Sequence, residues 1–196
     1  MATLKPDIAL LQEVSSAAKI FGDFHLAFEL VTRKDGAPQR FGNLILSRYP
    51  LKEGLDLRSE IPWVNREREF FRGNILERTV DAELGPINVI NFYSPAWPCA
   101  QGRLVGNNLA GVKLENNPDL WCTEILWKLL IDEQEIGSRP LMIGGDFNSS
   151  ETFDHWGDKP RGNLEIIERM NALGLFDALR HYQGKLIPTF RNPKGG

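Results

Sequence analysis

Glu13 stands near the end of Ile8-Ala9-Leu10-Leu11-Gln12-Glu13-Val14, a short apolar run that turns polar at its tip. Such a run reads as a buried strand, and sheet proteins with packed helices gather ligand groups where strands end. A carboxylate there is a hard oxygen donor suited to Mg²⁺ or Mn²⁺. On position alone, a solvated strand-end glutamate is the simpler reading. A second cluster, Gly144-Gly145-Asp146-Phe147-Asn148, follows Leu141-Met142-Ile143. Its glycines let the backbone approach a ligand closely. If the strand continues, Asp146 and Asn148 point to one side while Phe147 packs on the other. A carboxylate and a carboxamide meeting at one spot suit a phosphoryl group bridged to a metal. The acid binds or orients, and the amide donates to a phosphoryl oxygen or to an attacking water. An Asx turn closing the strand is the competing reading. Tyr93 ends Asn91-Phe92-Tyr93-Ser94-Pro95, where its phenol is placed to donate to a phosphate oxygen. A half-buried aromatic with a wet hydroxyl competes with that role.

The three histidines, His25, His155 and His181, are the remaining candidates for proton transfer. His155 follows Asn148 closely in sequence. His181 lies four residues after Asp177, a helix-face spacing that would hold an imidazole in one tautomer. Surface histidines explain both equally simply. Trp97 sits in the loop after Tyr93, either to stack on a ligand or to anchor a proline-rich loop. Arg66-Glu67-Arg68-Glu69-Phe70-Phe71-Arg72 reads as a solvated edge with two packed phenylalanines, or as a substrate rim.

The elements that must position these residues follow from periodicity. Phe24 to Val31 alternates and reads as a strand, and Arg33 to Pro38 is a turn. Gly42 to Ser47 is another strand, and Ile75 to Leu84 and Ile87 to Tyr93 flank Gly85-Pro86 as a hairpin. Asn117-Pro118-Asp119 carries helix-start signals, with Leu120, Ile125, Leu126, Leu129 and Leu130 as an apolar stripe and Gly137 as the stop. Pro140 to Asp146 is a buried strand. Leu164, Ile167, Met170 and Leu173 mark a further helix closed by Gly174. Hairpins beside helices argue for a mixed sheet or two packed sheets with outer helices, an α/β or α+β protein, and not for a doubly wound parallel sheet.

Composition bounds the rest. The chain has 196 residues, 42% of them hydrophobic, enough for one domain with a full core. The formal net charge is -3 and the pI about 5.7, so any contact with polyanions must be local or carried by a metal. Cys99 and Cys122 form no CxxC pair and require no disulfide. No apolar segment has the length of a membrane span, and Met1 to Asp7 has no apolar signal-type core. A cytoplasmic location is the default expectation.

Taken together, four segments resemble the endonuclease/exonuclease/phosphatase superfamily of DNase I-like nucleases, abasic-site endonucleases, sphingomyelinases and inositol-polyphosphate phosphatases. They are Pro6-Asp7-Ile8-Ala9-Leu10-Leu11-Gln12-Glu13, Phe41 to Pro50, Ile90-Asn91-Phe92-Tyr93-Ser94-Pro95 and Gly145-Asp146-Phe147-Asn148. Each is weak alone; their order and spacing make them specific together. The resemblance implies a four-layer sandwich, two mixed β-sheets face to face and flanked by helices. It implies that Glu13 binds Mg²⁺ or Mn²⁺, that Asp146 orients or activates water, that Asn148 binds phosphate and that Tyr93 lies beside it. The substrate would be a phosphate ester of a nucleic acid, a phospholipid or an inositol phosphate. Family members also carry an N-terminal strand with an Asn, and a C-terminal Asp followed by an Asp-His pair, with no matching positions here. The expectation is therefore one domain over 1–196, incomplete at both termini, with self-association through an uncovered sheet. A metal-dependent phosphoesterase and a catalytically incomplete binding module both remain open.

Overall fold

In the computed structural model, which describes residues 5–15, 22–134, 137–155, 161–187 and 189, the apolar runs assemble into two sheets. Strands β1 (Ile8–Val14), β2 (His25–Thr32) and β3 (Pro38–Ser47) form a three-stranded sheet in the order β1-β3-β2, antiparallel at both pairings. Strands β4 (Leu51–Glu53), β5 (Ile75–Ala82), β6 (Gly85–Tyr93) and β7 (Leu141–Asp146) form a four-stranded sheet in that order. The expected hairpin is β5–β6, whereas β6–β7 is parallel, so the larger sheet is mixed.

The two-residue period of a strand explains the layering. Ile8 and Leu10 of β1, Ala27 of β2 and Ile45 of β3 meet Leu76, Val80, Ile87 and Val89 of the larger sheet, giving an apolar layer between the sheets. Side chains out of phase face away. Ala9, Leu11, Leu44 and Leu46 pack with Phe24 and Phe28 on the far face of the small sheet. Ile75, Ile90, Phe92, Leu141 and Ile143 pack under helices on the far face of the large one. Those helices are α1 (Pro62–Phe70), α3 (Cys122–Asp132) and α4 (Asn163–Ala172). The short helices α2 (Gln101–Leu104) and α5 (Ala178–Gln183) complete the set. The fold is thus α+β, two sheets packed face to face, the smaller one all antiparallel, with helices on the outer face of the larger among the described residues. Ile125, Leu126, Leu129 and Leu130 of α3 are fully buried, and truncating any one to alanine costs about 2–5 kcal/mol. No helix among the described residues is long and apolar enough to cross a membrane.

Several local expectations change. No residue of β1 or β7 is fully buried, and α3 ends at Asp132, capped by Glu133, short of the expected stop at Gly137. Arg66 to Phe70 belongs to α1: Arg66 and Glu69 are exposed and Phe70 and Phe71 are packed, as expected of a solvated edge, but Glu67 is 3% exposed and takes a bidentate bond from Arg103 at 3.0 and 2.8 Å. Asn117-Pro118-Asp119 is a turn, not a helix start. Asn117 Oδ1 accepts the Asp119 N–H at 3.0 Å and its Nδ2 donates to Arg161 O at 2.6 Å. Helix α3 begins later, where the Glu124 carboxylate accepts the Trp121 N–H at 3.1 Å. In α4, Leu164 is exposed and Ile166 is the buried apolar residue. The expected stop at Gly174 holds. Cys99 and Cys122 are free and buried, and burial raises both thiol pKa values far above the ordinary range.

Candidate active site

Pairing of β1 with β3 runs regularly from Ile8↔Ser47 to Leu11↔Leu44, then shifts before Val14↔Gly42. Glu13 lies in that irregularity at φ 58. A non-glycine residue there costs about 1–2 kcal/mol, and the left-handed turn takes its side chain out of the strand's alternation. Its Oε1 accepts a hydrogen bond from the Tyr93 hydroxyl at 3.3 Å. That bond joins the two sheets, since Tyr93 ends β6.

Tyr93 is half-buried, its ring edge-on to Phe41 of β3 at 6.0 Å. Burial, then the charge and hydrogen bond of Glu13, then the charge of Asp146 push its phenol up to about 12. Tyr93 is therefore a neutral hydrogen-bond donor at any ordinary pH, and both carboxylates act on one hydroxyl.

Asp146 arrives by register. The parallel pairing sets it opposite Tyr93, and Ser94 N donates to Asp146 O at 2.8 Å. Two glycines permit this approach. At Gly144 a Cβ would meet Leu10 Cδ1 of the facing sheet at 2.7 Å. At Gly145, with φ +139, it would stand 1.9 Å from Phe92 O, so no side chain fits.

The pleat does not continue past Asp146, which changes the sequence argument for Asn148. Asn148 sits at φ 46, where asparagine is enriched, and its N–H donates to Asp146 Oδ1 at 3.0 Å. This is the Asx turn. The turn, not strand alternation, sets the Asp146 carboxylate against the backbone N–H of Asn148. Asn148 Nδ2 donates to Ser94 O at 2.6 Å, which uses one of its two amide hydrogens. Phe147 packs inward on Phe92, ring centroids 5.0 Å apart, as expected. Glu13, Asp146 and Asn148 are exposed and accessible to a ligand.

Among the described residues, no group of three or more His, Cys, Asp or Glu side chains is arranged to hold a metal ion. The oxygen donors nevertheless fit Mg²⁺ or Mn²⁺. Such an ion takes one or two carboxylates, keeps several waters and fills its shell with substrate phosphate, and Glu13 and Asp146 are two open carboxylates near one hydroxyl.

The structure does not bring the histidines to this cluster: among the described residues, no hydrogen bond or ring contact joins one to Glu13, Tyr93, Asp146 or Asn148. His155 is exposed at the end of the short turn Glu151–His155, beside a concavity of about 220 Å³ that it lines with Asp154 and Leu164. His181 lies on α5, edge-on to Phe176 at 5.5 Å. Asp177 does not hold that imidazole; its Oδ1 accepts the Arg180 N–H at 2.9 Å and caps the helix. His25 is exposed at the start of β2. Trp97 packs on Phe71 at 5.6 Å, the anchoring role of its two readings. A larger concavity of about 590 Å³, lined by Glu115, Asp154, Glu165 and Arg169 among others, also lies away from the four residues.

Sequence reasoning missed the amides behind the cluster: Gln12, Asn43, Asn74 and Asn91. For Gln12, Asn43 and Asn91 the available signal was a polar residue in phase with apolar ones on the inter-sheet faces of β1, β3 and β6; Asn74 lies in the helical turn Arg72–Asn74 before β5, where no such alternation marks it. The chain matches the model of the Endonuclease/Exonuclease/phosphatase family over residues 1–164. No curated protein and no solved structure matches it.

Proposed function

The chain belongs to the endonuclease/exonuclease/phosphatase family, a hydrolase family acting on phosphate esters, and from that premise we propose a divalent-metal-dependent phosphoesterase whose site is Glu13, Tyr93, Asp146 and Asn148. One observation carries the reading: the Tyr93 hydroxyl donates to Glu13 Oε1 across the two sheets, while the β6–β7 register sets Asp146 beside Tyr93. Glu13 is the metal ligand, with Mg²⁺ or Mn²⁺ the suitable ions. When bound, such an ion supplies charge neutralisation at the phosphoryl oxygens. Asp146 takes the proton of an attacking water, and the Asn148 N–H on its Oδ1 fixes the direction of the free lone pairs. The remaining Asn148 amide hydrogen donates to a phosphoryl oxygen, and the Tyr93 O–H, which donates to Glu13 Oε1 in the structure, turns to another once Glu13 holds the metal. The substrate is a nucleic-acid, phospholipid or inositol phosphate ester. Self-association through an uncovered sheet belongs to the same proposal: β7 is an edge strand among the described residues, and Met142 on it is 43% exposed.

A second reading, a scaffold that binds phosphate without turnover, is favoured by the lack of any described contact between a histidine and the four residues. Hydrolysis of an activated phosphodiester with and without Mn²⁺, beside Asp146→Ala, separates the two. The phosphoesterase reading expects metal-dependent turnover that Asp146→Ala abolishes. A folded, Mn²⁺-binding protein without turnover would establish the binding module instead.

A further inference from the structure

The layer between the sheets changes character along its length. Ile8 and Leu10 of β1, Ile45 of β3, and Ile87 and Val89 of β6 make one end apolar. The next residues in phase are Gln12, Asn43 and Asn91, so the layer turns into a row of amides just before Glu13 and Tyr93. These amides hold both sheets at once. Gln12 Nε2 of β1 donates to Asn91 Oδ1 of β6 at 2.6 Å. Asn91 Nδ2 donates back to Leu11 O of β1 and to Leu44 O of β3, both at 3.0 Å. Asn43 Nδ2 of β3 reaches Gly73 O at 3.0 Å. Asn74 Nδ2 donates to Tyr93 O at 2.9 Å, while its Oδ1 accepts the Thr32 N–H of β2 at 3.2 Å. Asn43, Asn74 and Asn91 are fully buried.

Burying three amides is unfavourable unless directed hydrogen bonds hold them, and of their side-chain polar atoms only Asn43 Oδ1 has no partner among the described residues. Apolar packing would hold the sheets together, but it is non-directional and does not choose among nearby offsets. We propose that Gln12, Asn43, Asn74 and Asn91 are positioning residues: they lock the offset of the small sheet on the large one, so that Glu13 meets Tyr93 and Asp146. None of the four is among the proposed site residues. The inference rests on the proposed site only for its effect on rate; the geometric claim stands apart from it.

The test compares Gln12→Met and Asn91→Leu with Thr79→Val. Thr79 donates to Asn88 Oδ1 at 3.0 Å in a buried pair of the same hairpin, away from the inter-sheet layer. The readout is magnetisation transfer by NMR between the rings of Phe41 on β3 and Tyr93 on β6, edge-on at 6.0 Å across the sheets. Wild type and Thr79→Val are expected to keep that cross-peak, and both amide variants to weaken it at least about twofold. On a phosphodiester with Mn²⁺, the amide variants are expected to lose about tenfold or more in kcat with KM within about twofold. An unchanged cross-peak in folded Gln12→Met and Asn91→Leu overturns the proposal, as does equal weakening in Thr79→Val. Should Asn91→Leu not fold, Gln12→Met, which removes one half-buried amide, decides alone. Wild-type protein without turnover would remove the phosphoesterase reading while the ring contact still decides the positioning role.

Discussion

Replacing Gly145 by alanine would measure how tightly the tip of β7 is built, and the cost is worked out from two separate terms. The first is backbone: φ is +139, a region open essentially to glycine, worth about 1–3 kcal/mol for alanine. The second is contact. The new Cβ would stand 1.9 Å from Phe92 O and 3.1 Å from Phe92 N, backbone atoms of β6 that cannot rotate away. The strands must part, adding about 1–3 kcal/mol. Two comparison variants isolate the terms. Gly85→Ala, at φ +119 with nothing within 4 Å, carries the backbone term alone. Gly144→Ala meets only Leu10 Cδ1 at 2.7 Å, the end of a flexible side chain, and should cost about 1 kcal/mol. Gly145→Ala should therefore lose about 2–6 kcal/mol against about 1–3 for Gly85→Ala, read by urea unfolding. In a chain of this size that is a Tm drop of roughly 10 °C. Asp146 would move with the strand, so hydrolysis should fall at least about tenfold wherever the variant still folds. A Gly145→Ala protein no less stable than Gly85→Ala would refute the claim that β6 closes that space.

Three further outcomes follow from the same structure. Glu13→Gly should abolish Mn²⁺-dependent hydrolysis while leaving the protein as stable or up to about 1 kcal/mol more stable, because glycine relieves the φ of 58; a clear loss of stability in urea unfolding would contradict this. Tyr93→Phe should lower kcat about 10²-fold, yet leave the shape of the pH profile between about pH 6 and 9 unchanged, because the phenol is pushed up to about 12 and stays protonated throughout; an alkaline limb that disappears in the variant would contradict it. Burial pushes the Glu124 carboxyl from 4.5 up to about 7, so the folded state holds a proton that the unfolded chain releases. Its contribution is whole below about pH 4.5 and is lost as pH rises through about 7, a fall of about 3 kcal/mol. Glu124→Gln should flatten that part of the urea-midpoint profile, and parallel profiles for variant and wild type would sink the idea.

What was legible in the sequence, and what was not, divides along the difference between local and distant causes. β1, β3, β6 and β7 showed themselves because alternation and flanking turn residues are local. Helix α1 did not: Arg66-Glu67-Arg68-Glu69 offers charge on every side, and its inward Glu67 is explained only by Arg103, far along the chain. Asn117 misled in the same way, since its amide answers to Arg161 and not to a helix beginning beside it. At the site, Glu13, Tyr93, Asp146 and Asn148 were each visible as polar residues at strand ends. How they meet was not visible. The left-handed backbone at Glu13 and the turn from Asp146 to Asn148 replace the straight pleat that spacing suggested. The amides sharpen the point. Ile8-x-Leu10-x-Gln12 and Ile87-x-Val89-x-Asn91-x-Tyr93 each announce an apolar face that ends in a polar residue. One strand's alternation tells which way a side chain points, but its partner depends on the register of a strand in another sheet. A buried Asn in phase with an apolar face therefore marks a place where two faces must be aligned, and here that place lies directly behind Glu13 and Tyr93.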